Sequence, residues 1–277
     1  MQLESSVINK SINYIFDHID ENITVDDVAS HCAYSKYHLM RLFKENTDEA
    51  LYHFIKRIKL ERSAWRLKVE KERSVTDIGI EYGYSSSNFA TAFKKQLKVS
   101  PKAFRDNSEK LIKNSSFYRS NLSNDIDELS KLITIEYLYP MRCVYERRKG
   151  NYHELPSAWC CFLEKYSSLI NDDTIFIECT IDDPTITPED SCMYQLCFTI
   201  SEDIHDDSLL TCVFEGGKYS VYHFKGFPQF MFMVYQNVFC NWLNKTGNVL
   251  DNRPIIDIYR LVREDGYMEI DICFPIK

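Results

Sequence analysis

Residues 24–44 read TVDDVASHCAYSKYHLMRLFK, and residues 74–94 read SVTDIGIEYGYSSSNFATAFK. The second stretch repeats the first at an offset of 50 residues, without a gap. Val25 matches Val75, Asp27 matches Asp77, and Val28 matches Ile78. Tyr34-Ser35 match Tyr84-Ser85, Leu39 matches Phe89, and Phe43-Lys44 match Phe93-Lys94. Each copy decodes the same way. Thr24-x-x-Asp27 and Ser74-x-x-Asp77 are capping boxes that open a short helix. The chain turns near Ala33-Tyr34 and Gly83-Tyr84, after which Ser35 and Ser85 cap a second helix. The second helix buries Leu39 and Phe43, or Phe89 and Phe93, spaced four apart on one face. Its other face stays polar. Two short helices joined by a tight turn make a helix-turn-helix, here present twice.

Moving outward, Val7, Ile8, Ile12, Ile15, Phe16 and Ile19 form an apolar stripe on a leading helix. A longer helix, about 51–69, joins the copies and carries Lys56, Arg57, Lys59, Arg62, Arg66 and Lys68 on the side expected to face solvent. The serine- and asparagine-rich stretch 107–124 reads as a linker. The domain boundaries that follow are 1–107, a linker over 108–135, and 136–277.

Beyond the linker the period changes. Short β-like runs occur at 141–147, 175–181, 193–200, 219–224, 255–262 and 268–274, with helical segments near 154–170 and 229–245. The order is strand, helix, strand, strand, then the same again. The expected fold class is an all-α double helix-turn-helix domain followed by an α+β domain of two-fold repeated strand-helix-strand-strand.

The net charge is −8, but it is unevenly spread. Residues 36–105 carry a net +8, and residues 116–277 a net −11. A basic module joined to an acidic one fits a nucleic-acid reader carrying a separate sensor. Phosphate neutralisation supplies affinity and base edges supply specificity. Arg41 is suited to the O6 and N7 of guanine, and Asn88 to adenine. Tyr37, His38 and Thr91 are placed for thymine-methyl or backbone contacts. The full candidate surface is Ser35, Lys36, Tyr37, His38, Met40, Arg41 and Lys44 in the first copy. In the second it is Ser85, Ser86, Ser87, Asn88, Thr91 and Lys95. Two such helices in one chain would enter successive major-groove faces of double-stranded DNA and read an asymmetric site.

The motifs AYSKYHLMRLFK (33–44), GYSSSNFATAFKKQLKVSP (83–101) and VSPKAFR (99–105) resemble the AraC/XylS family of transcription regulators. The resemblance covers about 7–107. It implies that Tyr37, Met40, Arg41, Ser87, Asn88 and Thr91 read adjacent major grooves, that RNA polymerase is a partner, and that the chain acts as an activator. Ala33 stands where glycine is usual, which predicts a slightly altered first turn. The second turn reads as one residue short, and Thr91 stands where arginine is common.

The C-terminal half is rich in aromatic and acidic residues, a combination that attracts organic cations. Strand alternation over 255–259 puts Ile256 and Ile258 on one face and Asp257 with Tyr259 on the other. VYERRKGNYHELPSAW (144–159), Asp182-Asp183-Pro184, GGKYSVYHFKG (216–226) and DICFPI (271–276) resemble GyrI-like effector-binding domains. This resemblance implies a small lipophilic or drug-like effector. The candidate effector-binding residues are Tyr145, Tyr152, Trp159, Phe162, Asp257 and Tyr259. Gln195 stands where aspartate is common, and no tyrosine follows Gly226.

These features point to a regulator and away from an enzyme. No cofactor, zinc or phosphate-loop motif is present, and no nucleophile–base spacing is diagnostic. Two alternatives accompany this reading. One is a GyrI-like hydrolase using Asp257 beside Tyr259, and the other a constitutive regulator whose acidic domain binds a protein. The ten cysteines form no C-x-x-C pair and read as reduced, mostly buried thiols. No stretch reads as a signal peptide or membrane span, so a cytoplasmic location without membrane partners is expected.

Overall fold

A computed structural model describes residues 1–114 and 126–277, with side chains excluded for 109–114. It divides into two compact units, Leu3–Leu111 and Met1–Gln2 with Ile112–Lys277.

The first unit is helical: α1 (Ser6–Asp17), α2 (Val25–His31), α3 (Lys36–Thr47), α4 (Leu51–Val69), α5 (Val75–Glu81), α6 (Ser86–Leu97) and α7 (Pro101–Asn114). Thr24 and Asp27 close a full capping box at α2, while at α5 the Ser74 hydroxyl accepts from Asp77 N. Ser35 caps α3, but Ser85 takes the N-cap conformation of α6 without a side-chain cap bond, contrary to the sequence expectation. Ile8, Ile12, Ile15, Val28, Leu39 and Phe43 are buried, as are Ile78, Phe89 and Phe93.

The two turns are equivalent. Tyr34 N donates to Ala29 O and Tyr84 N to Gly79 O, both at 3.0 Å. Ala33 adopts φ 57° and Gly83 φ 80°. The first turn is therefore not altered by its alanine, and the second is not short. Alanine accepts the left-handed conformation at a cost of about 1–2 kcal/mol. The copies also compensate for side-chain size. A Cβ on Gly79 would lie 2.8 Å from the Phe89 ring, whereas the first copy pairs Ala29 with the smaller Leu39.

The basic residues of α4 do not all face solvent. Lys59, Arg66 and Lys68 are only 6%, 3% and 2% exposed. Arg66 pairs with Glu70 at 2.7 Å, Arg57 is held by Glu49 and Glu61 at 2.8 Å each, and Lys59 donates to the Glu21 carbonyl. Buried cations require such partners, because an unpaired one bears a large desolvation cost. Much of this helix's charge therefore serves the core of the unit.

The serine- and asparagine-rich stretch begins inside α7, which continues to Asn114, and residues 115–125 of the expected linker lie outside the described residues. α8 (Ile126–Ser130) and β2 (Thr134–Leu138) occupy its far end.

The second unit is one antiparallel sheet with helices. Its strands are β2, β3 (Met141–Lys149), β4 (Phe176–Thr180), β5 (Met193–Thr199), β6 (Thr211–Phe214), β7 (Gly217–Gly226), β8 (Ile256–Val262) and β9 (Met268–Pro275), with the two-residue β1 (Gln2–Leu3) falling across the division between the units. The strands run β1-β3-β5-β4-β8-β9-β7-β2, with β6 also pairing β3. α9 (Leu155–Lys165) follows β3. A second helical run follows β7: α10 (Met231–Met233), a π-helical turn at Val234–Val238, and α11 (Phe239–Thr246). Each half is thus strand, helix, strand, strand. In the sheet, β3-β5-β4 meets β8-β9-β7 in mirrored order, so the two halves join at the β4–β8 pair. The expected two-fold repeat is present. β2 and β6, at the sheet margins, were not anticipated.

Candidate functional sites

In the helical unit, the polar faces of α3 and α6 are exposed as their sequences require. Tyr37 is 84% exposed, and Lys36, His38, Arg41 and Lys44 also face solvent, while Met40 is half-buried. Lys36 pairs with Asp26 at 2.6 Å, and Arg41 lies 4.0 Å from Glu45. Such exposed pairs are weak and leave the cations available to an anion. On α6, Ser86, Ser87, Asn88, Thr91 and Lys95 are exposed, as is Ser85 at its cap. The Thr91 hydroxyl donates to Ser87 O at 3.1 Å. The first face is cationic and aromatic; the opening turns of the second offer hydroxyls and one amide. A shallow surface depression lined by Ala90, Thr91, Lys94, Lys95 and Ser100 lies along α6.

In the sheet unit, the seam strands place one carboxylate each at the same level. Glu178 of β4 is the register partner of Asp257 of β8. Directly opposed residues share a sheet face with Cβ atoms about 4.5–5.5 Å apart. Glu178 is 4% and Asp257 1% exposed. The helix of each half donates to the acid of its own half. Trp159 Nε1 of α9 donates to Glu178 Oε2 at 3.2 Å, and the Tyr235 hydroxyl donates to Asp257 Oδ2. Tyr235 sits in the π-helical turn, a distortion that often re-aims side chains at functional sites. Tyr259 Oη crosses the seam to Glu178 Oε2 at 2.8 Å, and its ring meets Trp159 edge-on at 5.3 Å.

Burial pushes both carboxyls up, Asp257 well above the usual range with Glu178 adding repulsion. Two unit charges about 5 Å apart repel by about 3 kcal/mol at an effective dielectric of about 20. Burial likewise raises the Tyr235 and Tyr259 hydroxyls, so they act as neutral donors. Asp257 Oδ1 is buried without a hydrogen-bond partner, as is Gln236 Oε1 on the neighbouring turn. A buried orphan acceptor costs about 1–3 kcal/mol, which a bound donor or cation would recover.

Three of the six sequence-derived effector residues, Trp159, Asp257 and Tyr259, come together here. Tyr152 is a neighbour whose hydroxyl braces the Asp182 and Met193 carbonyls at 2.7 and 3.2 Å. Phe162 is fully buried against Val144, Leu196 and Phe198 and fills the core. Tyr145 does not join this cluster. It follows Val144 of that core by one residue and so faces the opposite side of the sheet, beside the buried Arg147. Gln195 also lies on that opposite side, since its neighbours Tyr194 and Leu196 face the core cluster. Asp257 and Tyr259 do share one face, as alternation expects, while the Tyr259 hydroxyl donates to Glu178 and that of Tyr235 to Asp257.

Glu178 was missed. Its signal was an acid amid apolar residues, Ile177-Glu178-Cys179, matching Ile256-Asp257-Ile258 in the other half. Among the described residues, no group of His, Cys, Asp and Glu is arranged to hold a metal, and no helix is long and apolar enough to cross a membrane. Six cysteines are buried, but Cys160 and Cys161 are exposed.

Comparison with known proteins places both halves. The helix-turn-helix domain family matches residues 28–107, and the integron-associated effector binding protein family matches residues 134–276. Transcriptional regulator Rob of Salmonella typhimurium is 34% identical over 107 residues, 38% of this chain and 37% of Rob. The chain thus spans little more than a third of that relative. The HTH-type transcriptional activator AarP of Providencia stuartii is 31% identical over 105 residues, 38% of this chain and 77% of AarP. The solved C-terminal domain of EcmrR aligns with 52% of this chain and 96% of its own length, at 10% identity and a TM-score of 0.45.

Proposed function

The chain belongs to the AraC-type helix-turn-helix regulators and carries the domain of the integron-associated effector binding proteins, and from that premise we propose that it is a DNA-binding transcription regulator controlled by a small molecule. The observation that carries the first part is the duplicated helix-turn-helix with exposed polar faces on α3 and α6. α3 supplies the stronger electrostatic anchor through Lys36, Arg41 and Lys44, and Arg41 is its guanine reader. α6 reads through Asn88 and the hydroxyls of Ser86, Ser87 and Thr91. The chain acts as an activator in the cytoplasm, with RNA polymerase as its partner at promoters; AarP, by its name an activator, supports that direction.

The effector enters the sheet unit at the seam, where Trp159 and Tyr259 supply aromatic faces and Glu178 with Asp257 supply charge. The test of DNA reading is binding of the full chain to random-sequence duplex as salt rises. Affinity should fall steeply and linearly on a log–log plot, since counterions are released on phosphate contact. No salt-sensitive binding would end the DNA reading. For the effector, a thermal-shift panel of cations, neutral aromatics and anions on the full chain should give a dose-dependent rise with one class. No rise with any class would favour a protein-binding acidic domain instead.

A further inference from the structure

We propose that Glu178 and Asp257 form a proton-exchanging pair, in which a bound organic cation takes the place of a proton held on Asp257. This rests on the effector reading above and deepens it by naming how the site takes charge. The two acids occupy equivalent strands of the two halves and oppose each other in register. Among the described residues, no Lys, Arg or His pairs with either carboxylate; Glu178 receives Tyr259 and Trp159, and Asp257 receives Tyr235. The acceptor count favours Glu178 over Asp257 as the carrier of the charge. Glu178 Oε2 accepts two hydrogen bonds, as an anion does, whereas Asp257 Oδ1 lacks a partner and Asp257 is the more deeply buried.

The titratable side chains that feel the charge of the pair are themselves neutral acids, with Arg148, Glu154 and Asp182 one step further out beside Tyr194 and Tyr152. The neutral acids are Tyr235 from the π-helical turn, Tyr259 from β8, Tyr152 beside α9 and Tyr194 from β5, with Cys273 of β9 on the opposite sheet face, all raised primarily by burial. The free site therefore carries one negative charge, on Glu178. When a monocation enters, the Asp257 O–H bond breaks, its electron pair stays on the carboxylate, and the proton leaves to solvent. The bound site then holds two carboxylates and one cation, again a net single negative charge. The exchange leaves the net charge at the buried pair unchanged, so no extra unpaired charge is buried. The Oδ1 acceptor, orphaned in the free site, gains its partner in the same step.

The experiment is calorimetric titration of the full chain with tetraphenylphosphonium, a permanent cation with no proton of its own. It is run in two buffers of different ionisation heat, from about pH 5 to about pH 9. Close to one proton should be released per cation bound, with affinity rising up to tenfold per pH unit while Asp257 is protonated in the free chain. Glu178→Gln removes the repulsion on Asp257 and should move that window to lower pH. Asp257→Asn should abolish proton release and flatten the pH dependence. Binding with no proton release and a flat profile in the unmodified chain would overturn the exchange and leave the effector reading standing. The absence of both binding heat and melting shift at every pH would remove the cationic-effector reading on which the exchange depends.

Discussion

In the helical unit, the two copies flank one long helix in the chain, and each presents its own face. In the sheet unit, the two copies meet along a single strand pair. The helical copies keep their turns, their left-handed positions and their buried apolar pairs four residues apart, yet their exposed faces have little in common. Tyr37, His38 and Arg41 correspond by the offset to Ser87, Asn88 and Thr91. The sheet copies differ widely in sequence but keep an acid at the joining strand, with a donor from the helical segment that precedes it. A duplicated fold is thus free to diverge where each copy works alone, and is held alike where the copies share one site.

The largest test of this contrast concerns α4. Its buried cations belong to the scaffold rather than to a binding face. Arg66→Ala, which removes the buried guanidinium from Glu70 and Glu81 and leaves them Arg73 alone, should lower unfolding stability by about 3 kcal/mol in denaturant titration. Arg62→Ala, at a partly exposed position, should cost well under half of that.

On the divergent faces, Arg41→Ala should weaken binding to a preferred duplex about ten- to a hundredfold, and relax selectivity at one guanine. Thr91→Ala should cost less, because its hydroxyl is already committed to Ser87 O. Equal losses from the two, in competition binding assays, would break the asymmetry between the copies.

Next is the seam. Asp257 keeps its proton in the folded chain to higher pH than in the unfolded one. Its contribution is therefore complete below the unfolded carboxyl value and is lost as pH rises toward the folded value. Relative to the unmodified chain, Asp257→Asn should gain stability with pH above about 4, by at most about 1.4 kcal/mol per unit. A pH-independent difference in melting would contradict a buried, proton-holding acid.

The smallest effect tests the conserved turns. Ala33→Gly should stabilise the helical unit by about 1 kcal/mol, since glycine is at ease at φ 57°, whereas Gly83→Ala should destabilise it by a similar amount.

The helical unit was legible because its signals are local. Caps, a four-residue apolar spacing and an ungapped repeat each lie within one stretch of chain. The buried side of α4 was not legible, because its cations find partners such as Glu21 and Glu81 far along the chain, and sequence position alone suggests solvent. For the sheet unit, six strands and both helices were visible from alternation and length. The short margin strands β2 and β6 carry too little period to be seen. At the site, Asp257 and Tyr259 could be placed on one face from alternation, and Trp159 from family resemblance. Glu178 required the register of β4 against β8, a pairing between residues 79 positions apart. Tyr145 falls on the face away from this cluster, and its position could not be read for a related reason, since aromatic content does not say which sheet face a strand residue takes.

The most direct test of the central claim is selection from a random duplex pool with the purified full chain. The account predicts enrichment of an asymmetric site spanning two successive major grooves, with the half dependent on Arg41 lost in the Arg41→Ala chain. Recovery of a palindrome, or no enrichment over the starting pool, would contradict a single chain that reads DNA with two unlike helices.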